Sequence, residues 1–163
     1  MPIDKWDTRY LELAHHVAKW SKDPRAKVGA VIADSRRRVV ALGFNGFPVN
    51  VEDSANRLAD KAQKNEMVVH AEENAILIAG RAAECGTLYV YGKPVCSRCA
   101  GVVIQAGIKR VVAVLPKDGT VSHWDNVGLT AIHMLTEARV IIVPAGQPAE
   151  ETATPHVTES VAA

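Results

Sequence analysis

The sequence predicts an α/β protein: a three-layer α/β/α sandwich around a five-stranded mixed sheet, with the last two strands parallel. Three observations carry that expectation. Five short runs rich in β-branched residues recur between Val28 and Val143. The first two flank a charged turn of hairpin length, whereas the later ones are separated by stretches of helical periodicity. A helix between two strands supplies the crossover that parallel pairing requires.

The chain opens with a helical stripe. Trp6, Tyr10, Leu13, Val17 and Trp20 recur at steps of four and three, with Glu12, His15, His16 and Lys19 expected to face solvent. Ser21-Lys22-Asp23-Pro24 ends the helix, because the residue before proline avoids helical geometry. Val28–Ala33 and Val39–Phe44 read as two strands joined by Asp34-Ser35-Arg36-Arg37-Arg38. A run of arginines this short reads as a solvated turn before it reads as a nucleic-acid surface. Asn45-Gly46-Phe47-Pro48 closes the second strand.

Residues 49–69 form a polar excursion with a helical turn expected at Ala55–Gln63. Loops of this length in a compact domain are functional or disordered, and this one delivers the chain straight to His70. Ala71–Ala83 is apolar nearly all round, which predicts a buried helix. Thr87–Tyr91 is the third strand, Ser97–Ala106 a second buried helix ended by Gly107, and Arg110–Leu115 the fourth strand. Trp124, Val127, Ala131, Leu135 and Ala138 mark a last helix before a fifth strand at Arg139–Val143. One domain over 1–144 is expected, followed by a disordered tail over 145–163 that lacks periodicity.

The totals exclude several classes. Nineteen basic against eighteen acidic residues give a net charge of +1, so a polynucleotide partner is not expected. No apolar run approaches the roughly 20 residues that a membrane span needs. Three cysteines, two of them spaced Cys-x-x-Cys, argue against a disulfide framework and for a reducing compartment, with the cytoplasm as the expected location.

The chemistry concentrates in His70-Ala71-Glu72 and Cys96-Ser97-Arg98-Cys99. One imidazole and two thiolates supply three ligands to Zn2+ and leave the fourth tetrahedral position to water. Glu72 would be free to move that water's protons. Each half alone is weak, and three other readings stay open. Cys85 could close a four-ligand structural site in a non-catalytic, zinc-stabilised binding module. The thiols could be a redox pair, or the ring attacked could be another small heterocycle, such as a free base or a nucleoside. The spacing places His70 at a helix entry and Cys96 at the start of the next helix, where free N–H groups favour thiolate.

His-x-Glu followed by a proline-led Cys-x-x-Cys resembles the signature of zinc-dependent nucleobase deaminases. More of the chain resembles the deoxycytidylate deaminase family, within the cytidine deaminase-like superfamily. The likeness is carried by Ser21-Lys22-Asp23-Pro24 with Lys27-Val28-Gly29-Ala30-Val31, by Gly43-Phe44-Asn45-Gly46-Phe47-Pro48, and by Val69-His70-Ala71-Glu72 with Asn74-Ala75-Ile76. It continues through Cys96-Ser97-Arg98-Cys99-Ala100 and Ile104-Gln105-Ala106-Gly107-Ile108, and covers roughly residues 6 to 143.

The resemblance implies hydrolysis of deoxycytidylate to deoxyuridylate by zinc-bound hydroxide, with His70, Cys96 and Cys99 as ligands and Glu72 as proton shuttle. It implies that Asn45 contacts the substrate sugar, that the Ala71 N–H holds the pyrimidine carbonyl and that Val28 lines the base pocket. Arg25 and Lys27 become candidates for the phosphate, and a homo-oligomer is expected. Two positions depart from the family pattern. Val95 stands between Pro94 and Cys96, and Arg139 stands where glycine is usual in Glu137-Ala138-Arg139-Val140.

Overall fold

The structure, a computed structural model, describes residues 2–117, 119 and 123–146. The tail expected from 145 onward therefore lies outside the described residues from 147 on. Ala145 itself is packed, with its N–H donating to Ala113.

The first helix, α1 (Lys5–Ala18), starts where Asp4 accepts hydrogen bonds from the N–H groups of Trp6 and Asp7, while Asp7 accepts one from Asp4 N. Its buried face is Asp7, Tyr10, Leu11, Ala14, Val17 and Ala18, so the stripe is rotated from the expected one. Trp6 and Trp20 stay 36% and 50% exposed. The reason lies in Gly29, where an added Cβ would sit 2.0 Å from the Ala14 carbonyl oxygen. The helix backbone comes so close to the sheet there that only small side chains fit between them. His16 is exposed as expected, but His15 is half-buried, stacked on Tyr91 at 4.2 Å.

Strands β1 (Gly29–Ala33) and β2 (Val39–Phe44) form the expected hairpin. In its turn Asp34 accepts from the N–H groups of Arg36 and Arg38 and pairs with the Arg38 side chain, while Arg37 pairs with Asp4. The side chains of two of the three arginines, Arg37 and Arg38, are thus held in ion pairs.

The excursion contains two short helices rather than one turn: α2 (Ala55–Ala59) and α3 (Lys61–Met67). Asp60 separates them and caps α3 through the N–H groups of Ala62 and Gln63. A bridge between Gly46 and Val69 closes the excursion at its base.

Helix α4 (Ala71–Ala79) passes into a 3-10 turn at Gly80–Ala83, with Gly80 at φ +51° ending the α-helix. It is not buried all round: Leu77 and Ile78 are 75% and 68% exposed, because Ala71, Ala75 and Ile76 take the inward face. The chain continues through β3 (Thr87–Tyr91), α5 (Ser97–Gln105), β4 (Arg110–Ala113), α6 (His123–Glu137) and β5 (Ile141–Pro144). The fifth strand begins two residues later than expected, since Arg139 at φ +59° is still closing α6.

The sheet order is β2-β1-β3-β4-β5, with β1 antiparallel to both neighbours and β3, β4 and β5 parallel. Side chains alternate faces. Val31, Ala33, Tyr89, Val112 and Val143 meet α1, while Ala30, Ile32, Leu88, Val90, Val111 and Ala113 meet the layer of α4, α5 and α6. This is the three-layer sandwich with a mixed sheet that the sequence predicts.

Under α1, a buried Asp7 receives both Arg110 guanidinium nitrogens at 2.7 Å and the Tyr89 hydroxyl at 3.1 Å. Burial alone would raise the Asp7 carboxyl, but these donors and Asp4 N hold it below its ordinary value.

Topology also fixes where a site can form. Two antiparallel steps, β2 to β1 and β1 to β3, make β2 and β3 run in the same direction. Helix α5, which follows β3, and α4, whose start the Gly46–Val69 bridge returns to the end of β2, therefore begin at one edge of the sheet, the carboxyl edge where open α/β sheets bind ligands. The entry to β1 and the first residues of α6, His123 and Trp124, reach that same edge.

Candidate active site

Each element contributes to this edge by the residue at its end. His70 is the N-cap of α4 in extended geometry (φ −73°, ψ 156°), and Cys96 is the N-cap of α5 (φ −85°, ψ 165°). Non-helical angles there let His70 and Glu72 turn toward one space although two helical positions would diverge. Glu73 accepts from His70 N at 3.1 Å and from Arg98 at 2.8 Å, which ties the two helix starts together. Gly43 lets α4 lie directly on β2: a Cβ there would stand 2.3 Å from the Ala71 carbonyl oxygen.

The expected ligands converge. The ligand atoms of His70, Cys96 and Cys99 all lie within 4.8 Å of one another. His70 Nδ1 is 3.2 Å from Cys99 Sγ and 3.5 Å from Cys96 Sγ. Ligands at the usual zinc bond lengths of about 2.0–2.1 Å (N) and 2.3 Å (S) in a tetrahedron lie roughly 3.5–3.8 Å apart, so one nitrogen and two sulfurs in this arrangement fit the ion.

Hydrogen bonds from Cys99 and from the His70 ring bring the Cys96 thiol down to about 4, against its burial. Cys99, bonded to that thiolate and buried, is pushed up, and the His70 imidazole is raised mainly by the Cys96 thiolate. Cys85 is exposed in the turn before β3 and is not part of this cluster. Among the described residues the group that could hold a metal thus has three members.

Around these ligands opens a cavity of about 590 Å³. Glu72 lines it, 4% exposed, and burial raises its carboxyl to about 7. Ala71, the first residue of α4, also lines it; its N–H is among the four that a helix start leaves without an intrahelical acceptor. Val28 and Trp124 form apolar walls, with the Trp124 ring 6.0 Å from that of His70. Pro94 lines the cavity as well and packs toward Gly128 of α6, while Val95 beside it is buried.

Asn45 lines the cavity, 6% exposed, accepting from Val28 N at 2.8 Å and donating to the Ala26 carbonyl at 2.9 Å. Arg25 reaches the rim and donates to the Ala59 carbonyl at 3.0 Å. Lys27, next in sequence, is exposed and does not line the cavity. The sequence reading missed Lys61, Lys64, Lys93, Arg98 and His123, which do. Lys64 in α3 is buried against Asp23 at 2.6 Å, a position that no periodic signal in the polar excursion indicates.

Comparison with known proteins agrees with this geometry. Residues 4–115 match the family described as the cytidine and deoxycytidylate deaminase zinc-binding region. An uncharacterized deaminase from the luxG 3′ region of Aliivibrio fischeri is 39% identical over 138 residues, 85% of this chain and 92% of that protein. Human deoxycytidylate deaminase is 36% identical over 137 residues, covering 80% of this chain and 74% of the human one. In fold, the dCMP deaminase of cyanophage S-TIM5, solved with dCMP and dUMP, superposes with a TM-score of 0.70 at 20% identity, over 89% of this chain and all of that one (100%). The family match and these relatives define a hydrolytic deaminase, an enzyme that cleaves C–N bonds. More narrowly, the chain belongs to the cytidine and deoxycytidylate deaminase family. No helix among the described residues is long and apolar enough to cross a membrane.

Proposed function

We propose that this enzyme holds Zn2+ on His70, Cys96 and Cys99 and deaminates a cytosine nucleotide, converting dCMP and water to dUMP and ammonia. The observation that carries the reading is a carboxyl buried beside a three-membered ligand group, inside a cavity with a cationic rim. The names of the relatives support it.

Zinc bound there would lower the pKa of water and so supply a nucleophile at neutral pH. The chain's own residues do the rest. Glu72 takes a proton from the attacking water and hands it to the ring nitrogen beside the carbon under attack. It then carries a second proton to the departing amine. A carboxyl that titrates near working pH suits both transfers. The Ala71 N–H donates to the pyrimidine carbonyl, Val28 and Trp124 enclose the base, and Asn45 meets the sugar. Arg25, with Lys61 and Lys93, receives the phosphate, and Lys27 adds only a longer-range field.

The exposed apolar Leu77 and Ile78 of α4 support assembly with further copies of the chain. Three unpaired cysteines support a cytoplasmic location.

The test is ammonia release from dCMP, deoxycytidine and cytosine by zinc-loaded protein. One or two charge-assisted contacts at about 1.5–3 kcal/mol each predict a kcat/KM for dCMP on the order of 100-fold above that for the nucleoside. Equal rates on all three would refute the nucleotide assignment.

A further inference from the structure

The excursion over the cavity is held down without an apolar core. Helix α2 buries no residue, and α3 buries only Lys64. Three polar pins join the excursion to the segment before β1: Lys22 to Asp53 at 2.7 Å, Arg25 to the Ala59 carbonyl at 3.0 Å, and Lys64 to Asp23 at 2.6 Å. The first two, an ion pair and a hydrogen bond to a carbonyl, are exposed, and exposed pairs contribute little. The third is buried, with 7% of either side chain exposed. An apolar pair of similar volume would serve stability as well or better, so stability does not explain a buried ion pair here.

Its connections do. Asp23 Oδ1 accepts from Arg25 N at 2.8 Å and Ala26 N at 3.0 Å, while Oδ2 faces Lys64 Nζ and, at 3.5 Å, Asn45 Nδ2. Ser21 Oγ accepts from Asp23 N at 3.2 Å and donates to the Asn45 carbonyl at 2.8 Å. Arg25, Ala26, Val28 and Asn45, all lining the cavity, thus hang on one hydrogen-bonded network whose buried anion is balanced by Lys64.

We propose that Lys64 is a positioning residue: through Asp23 it holds the wall formed by Arg25, Ala26, Val28 and Asn45 in the shape that receives the sugar and phosphate of the substrate. The inference rests on the cytosine-nucleotide reading above. Without Lys64, the Asp23 carboxylate moves toward water and takes its two backbone donors with it. Substrate binding then weakens while Glu72 and the metal ligands keep their places.

The test compares the parent enzyme with Lys64→Met and Lys64→Arg on the parent's best cytosine substrate. Lys64→Met is expected to raise KM at least about 10-fold, with kcat within about 3-fold and zinc content unchanged; Lys64→Arg, which keeps the charge, recovers most of the loss. An unchanged KM, or a fall in kcat accompanied by metal loss, overturns the proposal. If Lys64→Met does not fold, Lys64→Gln is judged by the same criteria. A parent enzyme inactive on every cytosine compound would sink the nucleotide reading alone. In that event amide exchange decides the inference: the Arg25, Ala26 and Val28 N–H groups should exchange at least about 10-fold faster in the variant while β3 is unaffected, and unchanged protection refutes it.

Discussion

Replacing Gly43 by alanine should cost this enzyme its turnover without unfolding it. The added Cβ would stand 2.3 Å from the Ala71 carbonyl oxygen and 2.6 Å from Ala75 N, whereas ordinary contact begins at 3.4 Å. The first turn of α4 must therefore retreat by about 1 Å, and both close atoms are backbone, so no side-chain rotation relieves the overlap. That turn carries His70 and Glu72. A displacement of about 1 Å at reacting groups lowers rates on the order of 100-fold, and overpacking of this kind costs about 1–3 kcal/mol of stability. Gly29→Ala is the control. Its Cβ would be 2.0 Å from the Ala14 carbonyl oxygen, but it presses on α1, on the opposite face of the sheet. Steady-state kinetics normalised to folded, zinc-loaded protein should show kcat down about 100-fold in Gly43→Ala and near parental in Gly29→Ala, with both melting lower than the parent. Equal kcat values in the two variants would refute the claim that Gly43 sets the position of the catalytic helix.

Other substitutions probe the remaining parts. Asp7→Asn breaks a buried bidentate pair with Arg110, which costs about 3–5 kcal/mol and lowers the melting temperature on the order of 10 °C by calorimetry. Because the Asp7 carboxyl is held below its ordinary value in the fold, its contribution is complete above about pH 4 and is lost as pH falls through the folded value. The stability gap between parent and Asp7→Asn should therefore narrow in acid below about pH 4; a gap that widened there would contradict the assignment. Arg139→Gly should stabilise the protein by about 1 kcal/mol in urea melts, since Arg139 sits at φ +59° where only glycine is unstrained. Glu72→Gln should lower kcat about 10³-fold with zinc content unchanged; normal turnover would remove Glu72 from its role.

The sheet, the hairpin and the convergence of His70, Glu72, Cys96 and Cys99 were legible because period, turn chemistry and ligand spacing are local signals. The departures arose where distant backbone approaches overrule local pattern. The rotated face of α1 follows from Gly29, and nothing within residues 5–18 announces it. The half-exposed α4 shows that apolar composition all round a helix does not by itself bury it. Lys64 was invisible because a lysine in a polar stretch reads as solvated until its partner Asp23, 41 residues earlier, is in place. The Arg139 departure is explained by structure. Val140 N donates to the Leu135 carbonyl and Arg139 N to that of Thr136, a Schellman closure of α6 that calls for a left-handed residue at this point. Arginine occupies it at a cost, without reaching the site.

The most direct test of the account is the X-ray absorption spectrum of the zinc-loaded enzyme at the zinc edge. Two sulfurs, one imidazole nitrogen and one light oxygen-type neighbour are predicted, in agreement with a three-residue group beside Glu72. A third sulfur, for which Cys85 is the remaining cysteine, or an ion enclosed by four protein side chains, would leave no position for water and would contradict hydrolysis at this site.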